Sequence, residues 1–241
     1  MSASTPKERN LSLDLIKWLA IITMVIDHLQ YVLPNSGYLF VIGRFAFPAF
    51  CMAVAANVFR SQRGDLFSDA NVRYLTWLVV FATASEVPFR WLATSSSTMN
   101  VMPTLAFGLV AAWGFHHRTR DSAILAAVTL AVSLVLHQSL MYGVFGVLLP
   151  AAFVVALQYP QAGWLAPAIM AVLANSRNHW VLTFSSAPMA LGVLVAAFSA
   201  PIACLWLLSR PTHLALPPVK RWGYWFYPLH MLAIKLATQI A

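Results

Sequence analysis

The chain has 241 residues, of which 60% are hydrophobic and only 9% are charged, and its mean hydropathy is +0.73. One globular core cannot bury that much apolar surface, so the composition excludes an ordinary soluble protein and predicts an all-α, polytopic membrane bundle. The formal net charge is +8, but the basic residues are divided among short loops without interleaved aromatics, which argues against a nucleic-acid partner.

Nine apolar segments predict about nine transmembrane helices. In chain order they are Leu15–Leu33, Tyr38–Phe59, Val72–Leu92, Val101–Phe115, Ser122–His137, Tyr142–Leu157, Trp164–Ala174, Met189–Leu208 and Gly223–Ile240. The seventh segment is short, and if it is re-entrant the count falls to eight. We interpret residues 1–241 as one membrane-embedded domain, with residues 1–13 as a short cytoplasmic tail.

The distribution of basic residues predicts the orientation of the bundle. Alternate loops carry them: Lys7 and Arg9, then Arg60, Arg63 and Arg73, then Arg118 and Arg120, then Arg210, Lys220 and Arg221. In the loops between these, the only basic residue is Arg177. Because basic loops remain in the cytoplasm, we expect a cytoplasmic N-terminus and, with nine spans, an external C-terminus.

Three ionisable residues interrupt the apolar segments. Asp27 and His28 lie in the first segment and Glu86 lies in the third. A charge in hydrocarbon costs roughly 2.5–3.5 kcal/mol even on lenient insertion scales, so such residues indicate a functional site. At about 1.5 Å per residue, Arg44 and Tyr142 lie at the same outer depth. These five residues form the predicted site.

A purely structural interpretation of the same residues is also available. Asp27 pairs with Arg44 in that interpretation, and Glu86 pairs with Arg90 four residues further along its helix. His230 lies near the midplane by the same depth estimate, deeper than the others. No His-x-x-x-His spacing is present, so we expect no metal.

Five short motifs occur in chain order and resemble those of the TraX family, with TrbP-type proteins as near kin. They are Leu15-Ile16-Lys17 through Ile26-Asp27-His28, Gly43-Arg44-Phe45-Ala46-Phe47-Pro48, Ser85-Glu86-Val87-Pro88-Phe89, Tyr142-Gly143-Val144-Phe145-Gly146 and Phe226-Tyr227-Pro228-Leu229-His230. The resemblance covers nearly the whole span from the first to the ninth segment, although 122–137 and 158–188 match only as apolar helix.

The resemblance implies a bacterial inner-membrane N-acetyltransferase. Its acetyl donor would be cytosolic acetyl-CoA, and its acceptor the N-terminal amine of a processed conjugative pilin in the lipid bilayer. The positions that match the family's polar motif residues are Asp27, His28, Arg44, Glu86, Tyr142 and His230. We assign the first five to catalysis; for binding of substrate or CoA we assign His230, Tyr227, Arg90, Asn100, Arg60, Arg118 and Arg120.

The implied reaction suggests individual roles. An imidazole titrates near neutral pH, so His28 is the favoured base. Glu86 is the alternative. Neighbours on a helix point about 100° apart, so we expect Asp27 to hold Arg44 while Glu86 or Tyr142 contacts His28 or the amine. Arg44 or Tyr142 would stabilise the oxyanion. Since His28 lies about 20 Å from the cytoplasmic end of its helix, the pantetheine arm must enter a channel.

Other functions remain open at this stage. The protein could acylate a glycan or lipid, act as a proton-coupled transporter with Asp27, Glu86 and His28 as relay, or be a non-catalytic pilin-maturation factor.

Cys51 and Ser85 have no base adjacent in sequence, which favours direct transfer over an acyl-enzyme.

Overall fold

The computed structural model describes residues 9–33, 36–160, 163–178, 181, 183 and 187–240, and within these ranges all regular secondary structure is helical. Lys7 of the basic N-terminal tail lies outside the described residues. The helices are α1 (Leu11–Leu29), α2 (Leu39–Gly43), α3 (Ala46–Phe59), α4 (Asp69–Leu92), α5 (Val101–His117), α6 (Arg120–Val135), α7 (Gly143–Gln158), α8 (Leu165–Ser176), α9 (Pro188–Ser209) and α10 (Trp222–Ile240).

The predicted segments correspond to these helices, with ends that differ by a few residues. The largest shift is in α1, which begins at Leu11 and ends at Leu29 rather than spanning Leu15–Leu33. Its start is set by Asn10, whose side chain accepts a hydrogen bond from Leu13 N at 2.9 Å. An N-cap overrides the edge of an apolar run, because it satisfies a backbone N–H that the helix cannot.

The second predicted helix is interrupted. Gly43 ends α2 and Ala46 begins α3, so Arg44 lies at the break. Pro48 has no N–H to offer the carbonyl of Arg44, and its ring crowds that carbonyl, which is how proline interrupts a helix. The break leaves the Arg44 side chain at a helix end, where it can reach several neighbouring helices.

Polar caps define other helix starts. Ser68 caps α4 by accepting from Asn71 N at 3.4 Å, and Asn100 caps α5 by accepting from Met102 N at 2.9 Å. Thr119 caps α6 in a capping box with Ser122. These residues fall at the ends of apolar segments, so the same polar positions that bound the helices also satisfy their first N–H groups.

Helix α3 is central to the bundle. It packs against α1, α5, α7 and α9, and all but three of its residues are buried. Helices α5 and α7 pack closely against each other, α6 covers both from outside, and α8 joins α7 to α9. Helix α10 packs mainly on α4 and also contacts α1.

The surface has the character of a membrane protein. Among the described residues, two helices are long and apolar enough to cross a membrane, Leu39–Phe59 (α2 and α3 taken together) and Pro188–Ser209, and Gly143–Gln158 and Leu165–Ser176 are shorter apolar helices. Large apolar side chains are exposed on α6 and α9, among them Val128, Leu134, Val135, Leu191, Val195 and Phe198. Many exposed large apolar side chains on one helix indicate contact with lipid or with another protein.

The contact between α5 and α7 predicts a sharp difference between two glycines. A Cβ added at Gly108 would lie 2.8 Å from Pro150 Cγ and 3.3 Å from Val147 O, whereas one at Gly192 would meet Val41 at an ordinary 3.6 Å. We expect Gly108→Ala to lower the free energy of unfolding by about 1–3 kcal/mol through overpacking, and Gly192→Ala to be near neutral. Thermal unfolding in detergent measures both, and equal midpoints would contradict the α5–α7 packing.

Candidate active site

The predicted ion pair between Asp27 and Arg44 is present. Arg44 Nη2 lies 3.3 Å from Asp27 Oδ1 and 3.4 Å from Oδ2, and Arg44 is only 7% exposed. Gln30 Nε2 also donates to Asp27 Oδ1 at 3.2 Å. A buried guanidinium requires a counter-charge and further acceptors, because the loss of hydration is costly. Asp27 supplies the charge.

Arg44 also binds two other helices. Its Nη1 donates to Tyr142 Oη at 3.2 Å and to Asn175 Oδ1 at 3.3 Å, and its Nε donates to Phe40 O at 3.1 Å. The guanidinium lies 3.7 Å from the centroid of the Phe40 ring. One side chain therefore connects α1, α2, α8 and the start of α7.

Gly43 permits the close approach of α1 and α2 that this pair needs. A Cβ at Gly43 would lie 2.2 Å from Asp27 Oδ1 and 2.4 Å from Asp27 Cβ. Any larger residue would displace Asp27, because contacts under 3 Å force the neighbour to move. The Gly43-Arg44 dipeptide thus combines the space for the carboxylate with its partner.

His28 is hydrogen-bonded to His230. The distance from His28 Nδ1 to His230 Nε2 is 2.7 Å, the ring centroids are 4.9 Å apart and the ring planes are 9° from parallel, so the two imidazoles lie edge to edge in nearly one plane. The Phe226 ring is also nearly parallel to that of His230, with centroids 5.2 Å apart. The short in-plane hydrogen bond and the Phe226 contact hold the imidazoles in fixed orientations.

The partners of His230 determine which nitrogen carries each proton. His230 Nδ1 lies 3.0 Å from Phe226 O, and a carbonyl only accepts, so His230 Nδ1 carries hydrogen. In neutral His230 the other nitrogen, Nε2, is then an acceptor, and His28 Nδ1 donates to it. His28 Nε2 is left with a lone pair, and no hydrogen-bond partner for it occurs within the described ranges.

One prediction about these histidines was wrong, since His230 does not lie deeper than His28. We expected Glu86 or Tyr142 to contact His28 or the substrate amine. His28 is instead hydrogen-bonded to His230, and contact of Glu86 or Tyr142 with the amine stays a prediction. Trp222, at the start of α10, stacks 5.4 Å from Trp18 in α1, so α10 begins level with the second turn of α1. Ten residues beyond Trp18 and eight beyond Trp222, the two histidines reach the same depth.

Glu86 connects α4 to the start of α5. Its Oε1 accepts from Arg90 Nε at 2.7 Å, which is the predicted i to i+4 pair, and its Oε2 accepts from Asn100 N at 3.0 Å and Asn100 Nδ2 at 2.7 Å. Asn100 also donates to Ala82 O at 2.7 Å. These three hydrogen bonds to the Glu86 carboxylate fix Asn100, the N-cap of α5, against α4. Next to Asn100, the Tyr227 hydroxyl accepts from Val101 N at 3.5 Å.

The three arginines that we assigned to CoA binding do not form one group. Arg60 lines a large cavity at the basic end of α1 together with Arg9 and Lys17. Arg118 instead donates to Gln158 at 2.9 Å and to Tyr159, and this hydrogen bond and the Arg118 charge lower the pKa of the Tyr159 hydroxyl. Arg120 begins α6 and does not line that cavity.

A second cavity, of about 270 Å³, lies beside Arg44. Polar groups dominate its lining, which includes Arg44, Tyr142, Asn175 and Arg177. Arg177 donates to the carbonyl oxygens of Met141 and Gln138, at 3.1 and 2.7 Å. Asn175 was missed in the sequence, although an amide directly after the short seventh apolar segment was the available signal. His179 lies outside the described residues.

No side chain in the described part of the chain has the surroundings of an activated nucleophile. Cys51 is fully buried, and the Ser85 hydroxyl is buried without a hydrogen-bond partner. Neither is hydrogen-bonded to an imidazole in the described ranges. Within the described ranges, no group of three or more His, Cys, Asp or Glu side chains could hold a metal ion.

A comparison with protein-family models identifies the family to which the chain belongs. The family model described as TraX protein matches residues 12–238, so the chain belongs to the TraX family. Searches of curated proteins and of solved structures returned no match. Family membership is consistent with a membrane protein associated with conjugation and pilin.

The Arg44 contacts predict a large cost for losing the guanidinium. Arg44→Ala leaves the partly buried Asp27 carboxylate without its counter-charge, and we expect a loss of about 3–5 kcal/mol in the free energy of unfolding. Thermal unfolding in detergent measures it. The matched control is Arg90→Ala, since the Arg90 side chain is 45% exposed, and loss of its pair with Glu86 should cost about 1 kcal/mol or less.

A double variant tests whether the unpaired charge of Asp27 causes the loss of stability. Asp27→Asn with Arg44→Gln removes both charges together, so most of the stability lost in Arg44→Ala should return. If Arg44→Ala unfolds at the wild-type temperature, the pair makes no net contribution and the account of this cluster is wrong.

Proposed function

We propose that this TraX-family protein is an inner-membrane N-acetyltransferase that moves an acetyl group from cytosolic acetyl-CoA to the N-terminal amine of a processed conjugative pilin. The observation that carries the proposal is the hydrogen bond from His28 Nδ1 to His230 Nε2. It leaves His28 Nε2 as a fixed imidazole base among buried charged and polar groups. The resemblance of the polar motifs supplies the reaction.

The proton transfers follow from the needs of the acceptor. An α-amine has a pKa of about 7.7–8.0 and must lose a proton to acylate. The neutral amine that results, its first proton having passed to solvent, attacks the thioester carbonyl, and His28 Nε2 accepts the second N–H proton during this attack. The new C–N bond forms, the C–S bond breaks, and the leaving thiolate recovers the proton from the imidazolium. No acyl-enzyme is needed, in keeping with the surroundings of Cys51 and Ser85.

Tyr142 and Arg44 are suited to stabilise the oxyanion of the tetrahedral intermediate. Tyr142 Oη accepts from Arg44, so the hydroxyl hydrogen of Tyr142 stays available to a substrate oxygen. A donor whose position is fixed before the reaction stabilises developing charge without reorganisation. Asp27 then holds Arg44 in place and does not orient His28.

Glu86, Asn100, Arg90 and Tyr227 act in this account as positioning residues. They hold the start of α5 against α4 and α10, next to His230. Glu86 would have to abandon three donors to take a proton, so His28 is the better base of the two that the sequence offered.

The proposed topology has nine spans, with α2 and α3 counted as one, a cytoplasmic N-terminus and an external C-terminus. The alternation of basic loops supports it. The polar cavity beside Arg44 and Tyr142 would then open toward the outer face, where a leader-processed pilin presents its new N-terminus. Acetyl-CoA would approach the same residues from the cytoplasmic side.

Removal of the proposed base tests the function. We expect His28→Ala to fold and insert normally, but to transfer acetyl groups from labelled acetyl-CoA to a purified processed pilin about 10²–10⁴-fold more slowly. The residual rate should rise with pH, because solvent then deprotonates the amine that His28 no longer serves. His213→Ala, at an exposed loop position, is the matched control and should keep the wild-type rate.

The other residues define the outcomes against the proposal. His230→Phe preserves an aromatic ring but removes the acceptor for His28, so its rate should fall between those of wild type and His28→Ala. A wild-type rate in His28→Ala with an inactive Glu86→Gln would make Glu86 the base. Wild-type rates in both variants would remove the acetyltransferase function from this site.

A further inference from the structure

Two cavities share a wall at the basic end of the bundle. The larger, which we call the vestibule, has a volume of about 680 Å³ and is lined by four basic residues, Arg9, Lys17, Arg60 and Lys220. Asp14 is the one acidic residue in that lining, and it is paired with Arg9 at 2.7 Å. The vestibule therefore carries an excess of positive charge.

The smaller cavity, which we call the tunnel, has a volume of about 200 Å³ and a mainly apolar lining. It continues from the vestibule, since both are lined by Lys17, Asn57, Tyr74, Val219 and Lys220. Its lining also includes Met24, Met102 and Tyr227. Met24 lies one helical turn before His28, and Tyr227 lies three residues before His230.

The two cavities together follow α1 toward the candidate base. From Arg9 to Met24 is fifteen residues, or about 22 Å at 1.5 Å per residue. The segment before α10 closes one side: Trp18 Nε1 donates to Pro217 O at 2.8 Å, and Ser12 Oγ donates to Arg210 O at 2.7 Å. These bonds hold Val219 and Lys220 against α1, where both line the cavities.

We propose that the vestibule and tunnel are one donor site for a phosphopantetheine thioester linked to a nucleotide, the chemical class of acetyl-CoA. This inference rests on the proposed function. The phosphates would bind beside Lys17 and Lys220, and the neutral arm would occupy the tunnel with its thioester toward His28 and His230. The cationic lining of the vestibule is followed by the apolar lining of the tunnel, and His28 and His230 lie within one helical turn of the tunnel residues Met24 and Tyr227. This order matches the order of groups along such a molecule.

The polar groups at the junction favour this ligand over an anionic lipid. Asn57 and Tyr74 line both cavities, and the side-chain amide oxygen of Asn57 accepts from Arg60 at 2.8 Å. A pantetheine arm carries two amides that can hydrogen-bond with the amide and hydroxyl of these side chains, whereas an acyl chain offers them no polar group.

Binding of free CoA tests the charged end. Titration of the detergent-solubilised protein with CoA should show saturable binding that weakens with salt, because exposed charges are screened. We expect the double variant Lys17→Gln, Lys220→Gln to weaken binding by about tenfold or more, since it removes two charge-assisted contacts. The matched control is Lys235→Gln, which changes a lysine of α10 outside both linings and should leave binding unchanged.

A substitution in the tunnel tests the neutral end. Ala53 lines the tunnel, and Ala53→Trp should block the arm and abolish CoA binding. Adenosine 3′,5′-bisphosphate, which lacks the arm, should still bind this variant, and that binding shows that the vestibule is folded. Pantetheine, which lacks the phosphates, should bind wild type and the double lysine variant equally weakly.

Three results would overturn the donor site. They are the absence of CoA binding to wild type, unchanged CoA binding in both the lysine and the Ala53 variants, and displacement of CoA by phosphatidylglycerol vesicles but not by adenosine 3′,5′-bisphosphate. Acetyl transfer with an unchanged KM for acetyl-CoA in those variants would leave the enzyme and remove the site. Normal CoA binding without any transfer to pilin would keep the site and remove the proposed function.

Discussion

The buried charge of Arg44 constrains the end of the bundle at which α1, α2, α7 and α8 meet. A guanidinium away from water must find a carboxylate and enough acceptors, or the fold loses several kcal/mol. Arg44 finds them on other elements: Asp27 on α1, Tyr142 at the start of α7 and Asn175 near the end of α8. These ends cannot move apart without leaving a charge unpaired. The break before Pro48 and the missing side chain of Gly43 create the space in which this happens.

The commitment of Asp27 to Arg44 explains the unusual support of His28. Consecutive residues point about 100° apart on a helix, so His28 faces away from the carboxylate beside it in sequence. Its partner comes from α10 as His230, which is oriented by the carbonyl of Phe226. An imidazole held by a neutral acceptor keeps its second nitrogen available, as a base requires. Two separate pairs of residues therefore lie side by side. Asp27 and Arg44 neutralise each other's charge, and His230 positions His28 as a proton acceptor.

Much of this arrangement can be predicted from the sequence, because helix length and depth follow from residue counts. The positions of the helices, the Asp27–Arg44 pair and the Glu86–Arg90 pair were all predicted correctly. The depth of His230 was wrong because the level at which α10 begins depends on the loop packed along α1, which no residue count reveals. Glu86 does not make the contact with His28 that we had kept as one of two alternatives, because its donors are Arg90 and the Asn100 groups at the start of α5. Arg118 was assigned to CoA by its side of the membrane, which does not fix its place within that side.

The central claim is that this chain acetylates pilin through His28. The most direct measurement is the intact mass of processed pilin from cells that contain this protein, from cells that lack it, and from cells that carry His28→Ala. The account predicts one acetyl group on the pilin N-terminus in the first case, and unmodified or scarcely modified pilin in the other two. Pilin of identical mass in the presence and absence of the protein would contradict it.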